Sequence, residues 1–247
     1  MDDTGWIKQR DDGEIRHLIL NAAPANTLLP DRLFELIEVI KDAEATNHVR
    51  AIIISSALRI FSAGLDLKSA CNFDLAEQIR TVAGLNESFL RLFSCDKPVL
   101  VAINGAAIAG GLFFVLSADY RLSTSRSKFG LAEVRAGVDF PIGPMEIARA
   151  MMAPNDLRRL MMRGQMIDVE VAKKMDFIDE IVLEKDLITQ ATRAAKEFAA
   201  IPPKAYASVK KQIRGKTIAL IEGQMGLIQQ EWFTSETRKA MTNMLEL

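Results

Sequence analysis

The chain has 247 residues, 49% hydrophobic and 26% charged, an ordinary globular composition with room for one large domain. A formal net charge of −1 leaves no basic footprint for nucleic acid and no polybasic signal for a membrane surface. Cys71 and Cys95 are too few for a disulfide framework, and His17 and His48 lie on separate predicted elements, which argues against a zinc site and a histidine-based triad.

The opening MDDTGWIKQRDDGE is acidic and polar, unlike a secretory signal or transit peptide, so a cytoplasmic chain with reduced thiols is expected. Residues 14–20 (EIRHLIL) read as a strand. The loop NAAPANTLLP follows, then a helix over residues 31–45 with Leu33, Ile37 and Ile40 at helical spacing. Residues 49–54 (VRAIII) form a strand apolar enough to be buried on both faces, as in a mostly parallel sheet. FSAGLDL (61–67) is too glycine-broken for a helix and too apolar for a solvent loop. Leu85, Phe89 and Leu92 mark another amphipathic helix.

Residues 98–118 (PVLVAINGAAIAGGLFFVLSA) carry no charge and match a membrane-spanning helix in length. Their internal order argues otherwise. Pro98 and the run Val99 to Ile103 are strand-like, Asn104-Gly105 is a turn, and Gly110-Gly111 is a second break before Leu112. The stretch therefore reads as buried strand, glycine-rich turn and short buried helix, with no membrane span. Backbone N–H groups at such a helix start can hold negative charge. Neither the Walker pattern nor GxGxxG is present, so an oxyanion formed during a reaction is a better occupant than a phosphate. Close packing of small residues would explain the glycines equally well.

After Asp119 come a strand over residues 120–123, the segment KFGLAE (128–133) and the loop GVDFPIG (137–143). Helices then dominate: residues 168–174, a strand at Ile181-Val182, residues 185–200, residues 203–214, and a last long helix carrying Ile221, Met225, Ile228 and Trp232. The Pro202-Pro203 pair divides a core of residues 1–200 from a helical C-terminal subdomain of residues 201–247. Lys210, Lys211 and Arg214 form a basic cluster, which is ordinarily a solvated face. Alternating strands and helices indicate an α/β fold with right-handed crossovers.

FSAGLDL, KPVLVAINGAAIAGG, the DYR after the helix and KFGLAEVRAG, in this order and spacing, resemble the crotonase (enoyl-CoA hydratase/isomerase) superfamily. The resemblance runs from about residue 14 to 182 and weakens toward the C-terminus. It implies a spiral of repeated ββα units with a helical C-terminal trimerisation region, an acyl-CoA thioester as substrate and partner, and a homotrimer or hexamer. Coenzyme A would enter as part of the substrate, with no permanently bound cofactor and no metal. By position, the residue before the Gly-x-Asp, Ala63, and the first glycine of the pair, Gly110, would supply the two N–H groups of an oxyanion hole. Substrate contact is implied for Ala25, Gly64, Leu65, Asp66, Leu67, Gly111, Phe113 and Asp139. The basic cluster could then meet coenzyme A phosphates.

Hydratases of the family carry two glutamates, one three residues beyond the oxyanion glycine and one in the loop that here reads GLAEV. The first position is Phe113 in this chain, and Glu133 remains. Hydration needs one group to activate water and another to deliver a proton. One carboxylate suffices to take a proton from carbon 2 and return it at carbon 4, a shift of the double bond from position 3 to position 2. The PANTL segment (24–28), IAGG with Ile108 where relatives carry proline, and ADYR are similar to the Δ3,Δ2-enoyl-CoA isomerase branch. Alternatives are another crotonase reaction, hydration or C–C hydrolysis with Asp139 as a second acid, and a non-catalytic acyl-CoA-binding protein. Phe113 is expected to face the acyl pocket and Phe114 the core. Trp232 and Phe233 are expected in the core or a subunit interface, with the acyl tail as the rival location.

Overall fold

The structure is a computed structural model that describes residues 5–225 and 231–246. It opens with a hairpin, β1 (Ile7–Asp12) and β2 (Ile15–Leu20), turned by Gly13 at φ +61°. Helix α1 (Pro30–Ala45) leads to β3 (Ala51–Ser56), and the short α2 (Leu67–Ala70) to the long α3 (Leu75–Ser94). Asp74 and Glu77 form a reciprocal capping box at the start of α3. Then come β4 (Val99–Ile103), β5 (Ala107–Ile108), a 3₁₀ turn (Ala109–Gly111) and α4 (Leu112–Ser117). Next are β6 (Tyr120–Thr124), β7 (Lys128–Gly130), α5 (Glu133–Ala136), α6 (Ile142–Met151) and α7 (Pro154–Arg163). The remainder is β8 (Ile167–Asp168), α8 (Val169–Lys174), β9 (Glu180–Val182), α9 (Leu187–Ala199), α10 (Pro203–Gln224) and α11 (Ser235–Leu245).

One sheet has the order β1-β2-β3-β4-β6-β9, antiparallel only between β1 and β2. A small second sheet, β5-β7-β8, stands beside it. The chain climbs in turns of large-sheet strand, small-sheet strand and helix: β4-β5-α4, then β6-β7 and the helices after it. In the turn beginning with β3 the second strand shrinks to a single bridge, Ser62 to Ala107. The expected spiral of ββα units is present.

Period-two alternation explains why β3 and β4 read as continuously apolar. Ala51, Ile53, Leu100, Ala102 and Leu122 face α9, while Ile52, Ile54, Val99, Val101 and Ile103 face the main core. The 98–118 stretch is strand, turn and helix as its punctuation predicts. No described helix is long and apolar enough to cross a membrane.

Three expectations change. Strand β1 was missed because it is polar and exposed at the sheet edge beyond Ile7, held in part by the Arg16 guanidinium on Asp11. The helix expected to stop at residue 214 runs on to Gln224, and Trp232 lies outside any helix, just before the capping box of Thr234 and Thr237 that starts α11. Ile228, expected on that last helix, lies outside the described residues. The basic cluster is also not one solvated face. Lys210 and Arg214 are each only 7% exposed and both pair with Asp119, at 2.6 and 3.0 Å. Arg214 also donates to the carbonyls of Phe93, Ser117 and Ala118, clamping α10 to the C-terminal end of α4.

Candidate active site

Two loops are built against each other. Gly64 adopts φ +76°, and a Cβ there would lie 2.7 Å from the Ile108 carbonyl and 2.8 Å from the Gly110 nitrogen. Ala109, at φ 50°, occupies the left-handed region in the turn that presents Gly110. Ser62 Oγ donates to the Asn26 carbonyl, and Asn104 Nδ2 to the Leu58 carbonyl, so each loop is tied down from behind.

This geometry corrects one assignment. The Ala63 N–H donates to the Ala25 carbonyl at 3.0 Å and is not available as an oxyanion donor. The next free backbone N–H is that of Leu65. The parallel bridge to Leu28 runs through the Gly64 carbonyl and the Asp66 N–H, leaving Leu65 N–H without a partner among the described residues. Gly110 N–H is likewise unpartnered at the start of the 3₁₀ turn. A Cβ on Gly110 would stand 3.8 Å from the Leu65 nitrogen, so the two residues are neighbours. The positive φ of Gly64 reorients the peptide that follows it, which is why the donor comes after the glycine.

Leu65 and Gly110 line an apolar cavity of about 100 Å³. Glu133, the first residue of α5, is the one ionisable side chain among the described residues around it. The residue keeps some surface in the cavity, but its Oε2 is inaccessible and has no hydrogen-bond partner among the described residues. Burial pushes the carboxyl up from 4.5 to about 8, partly offset by its own backbone N–H. The cluster of a carboxyl with one unpartnered oxygen and two unpartnered N–H groups in an apolar chamber can exchange a proton with a carbon acid and hold the resulting oxyanion.

Phe113 is buried, lines the cavity, and packs on Phe89 at 5.6 Å and Phe140 at 6.3 Å. Phe114 is in the core against Phe61 and Phe89, as the step of about 100° between neighbouring helix positions predicts. Leu67 and Ala63 also line the cavity. Ala25, Gly64, Asp66 and Gly111 do not. Ala25 and Gly64 serve the loop backbone, and Asp66 caps α2 while accepting from Thr27 Oγ1. Gly111 allows close approach to Ser62. Asp139 does not enter the cavity either: it is exposed, lines an adjoining outer pocket, and accepts from Trp232 Nε1 at 2.8 Å. Trp232 and Met244 complete the wall from the C-terminal region, while Phe233 is fully buried in the core beside Trp232. Met244 carried no sequence signal, since only the docking of α11 brings it there.

The family profile described as enoyl-CoA hydratase/isomerase matches residues 12–246. A carnitinyl-CoA dehydratase of Citrobacter koseri is 28% identical over 214 residues, covering 85% of this chain and 80% of that protein. A probable enoyl-CoA hydratase of Mycobacterium bovis is 29% identical over 204 residues, covering 82% and 77%. The apo structure of an enoyl-CoA isomerase of Mycobacterium tuberculosis is 27% identical with a TM-score of 0.84, covering 90% of this chain and 97% of that one. These relatives are named for three different reactions, so likeness does not choose among them. With the profile spanning nearly the whole chain over a spiral of ββα turns, the protein belongs to the enoyl-CoA hydratase/isomerase family of crotonase-fold acyl-CoA enzymes.

Proposed function

We propose that the protein moves the double bond of a 3-enoyl-CoA to position 2. One observation carries this reading: Glu133 is the single ionisable group of the described cavity wall, and Phe113 fills the position where a second carboxylate would stand. The thioester oxygen accepts from the Leu65 and Gly110 N–H groups. Glu133, as carboxylate, takes a proton from carbon 2. The electron pair is delocalised through carbonyl and alkene as a dienolate, and the same carboxyl returns the proton to carbon 4. No water is consumed and no second acid is needed. Backbone donors suit the oxyanion because they stay protonated and need no reorganisation, and losing one costs about 3–4 kcal/mol in such sites. The hydrogen bond from Trp232 occupies Asp139 outside the cavity, which supports isomerisation over hydration.

The test is incubation with 3-hexenoyl-CoA and, separately, 2-hexenoyl-CoA. Interconversion of the two without 3-hydroxyhexanoyl-CoA is expected. Efficient formation of the 3-hydroxy product by the unaltered protein would overturn the reading.

A further inference from the structure

The apolar cavity adjoins an outer pocket across three shared residues, which form the partition between the two. Phe140, Pro141 and Trp232 line the cavity on one side and the outer pocket, of about 450 Å³, on the other. The outer pocket also carries Asp139, Glu231 and Glu236. Two of the three partition residues are fixed. Pro141 caps α6, and Phe140 is packed edge-on against Phe113. The backbone of the third is fixed as well: Oε1 of the buried Gln78 accepts from the N–H groups of both Trp232 and Phe233, at 3.0 and 2.9 Å, while Gln78 Nε2 donates to the Phe73 carbonyl. The Trp232 indole is held by stacking on Phe233, with centroids 4.8 Å apart, and by its hydrogen bond to Asp139.

We propose that Trp232, latched by Asp139, is the end wall of the acyl site and restricts the substrate to short chains of about four to six carbons. Trp232 acts by its bulk, and Asp139 is a positioning residue that acts through the indole. This rests on the isomerase reading only for the thioester's placement at Leu65 and Gly110. Capacity sets the length. An apolar cavity of about 150 Å³ takes up benzene, with its six heavy atoms. At about 100 Å³, this one holds roughly four, and with the thioester carbonyl seated at its edge on Leu65 and Gly110 these are the carbons of the chain beyond it. A longer chain meets the indole, and beyond it a pocket whose carboxylates offer an alkyl tail little.

Binding tests the wall without requiring turnover. Affinities of saturated acyl-CoAs from butanoyl to dodecanoyl are measured by calorimetry for the wild type, Trp232→Ala, Trp232→Phe, Asp139→Ala and Asp139→Asn. In the wild type, affinity is expected to rise about fourfold per methylene up to hexanoyl and then to level off or fall. Trp232→Ala opens the partition, so decanoyl-CoA should gain tenfold or more over hexanoyl-CoA relative to the wild type. Asp139→Ala should shift the profile in the same direction, and because Asp139 is exposed this variant keeps its fold. Asp139→Asn retains an acceptor for the indole N–H and should keep the wild-type profile, while Trp232→Phe, which keeps an aromatic ring but loses the N–H that Asp139 holds, should shift it as Asp139→Ala does. The same length profile in all five proteins would overturn the end wall while leaving the isomerase reading intact. Failure of every acyl-CoA to bind would remove both.

Discussion

Glu133 sets the pH behaviour expected of the enzyme. The base must be a carboxylate, and burial raises its pKa to about 8, so kcat/KM should climb with pH through about 8 and level off above it. The same burial has a cost in stability. Between about 4.5 and about 8 the folded chain binds the proton more tightly than the unfolded chain, so stability falls as pH rises through that window. Glu133→Gln keeps the shape and cannot ionise. Isomerisation should fall by several orders of magnitude, while melting at pH 8 should rise by at least about 3 °C over the wild type, a gap that closes toward pH 4.5. An unchanged rate, or a lowered melting temperature at pH 8, would contradict this role. Phe113→Glu restores a second carboxylate at the cavity wall. Slow but measurable hydration of 2-enoyl-CoA is expected in that variant and none in the wild type, as read by 3-hydroxyacyl-CoA formation.

At the scale of the element, the proposed oxyanion site depends on two loops that only meet if Gly64 has no side chain. Gly64→Ala places a Cβ in the left-handed region against the Ile108 carbonyl and turns the Leu65 N–H away. We expect kcat to drop about 100-fold, the order seen for loss of one oxyanion donor, with a much smaller change in acyl-CoA affinity. The C-terminal helix depends on a different contact. Asp119 balances both Lys210 and Arg214 where α10 crosses the end of α4. Asp119→Ala leaves two cations buried and unpaired, a change of about 3–5 kcal/mol in comparable sites. Denaturant unfolding should show a loss of that order, and retention of wild-type stability would mean the cluster is better hydrated than its burial indicates.

Across the whole molecule, α10 carries its apolar residues on two faces. Ile221 is buried against the core, while Val209, Ile213 and Leu220 point outward, Ile213 with 77% exposure. One face anchors the helix and the other is free to meet another subunit. A homotrimer, alone or paired into a hexamer, is expected, and Ile213→Glu should shift sedimentation toward smaller species. A wild-type monomer at micromolar concentration would refute that assembly.

Much of this was readable in the residue order. The strands β3 and β4, the glycine break before α4, the loop holding Glu133 and the substitution at Phe113 are local signals, because apolar periodicity and backbone punctuation act over a few residues. The polar strand β1 and the extent of α10 were not readable. A sheet edge and a buried ion cluster override local composition, and Lys210 and Arg214 look like surface charges until Asp119 is placed between them. The free N–H lies two positions beyond Ala63 for a similar reason: which N–H is free depends on Ala25 taking the one at Ala63, a contact between residues 38 positions apart. Sequence alone therefore determined the fold, the family and the loop whose carboxyl, Glu133, lines the cavity. Tertiary structure alone decided which backbone N–H groups are left free at the cavity and that Asp139 serves Trp232 and stays out of it, because a hydrogen bond removes a donor or an acceptor from a site only when folding has brought its partner within reach.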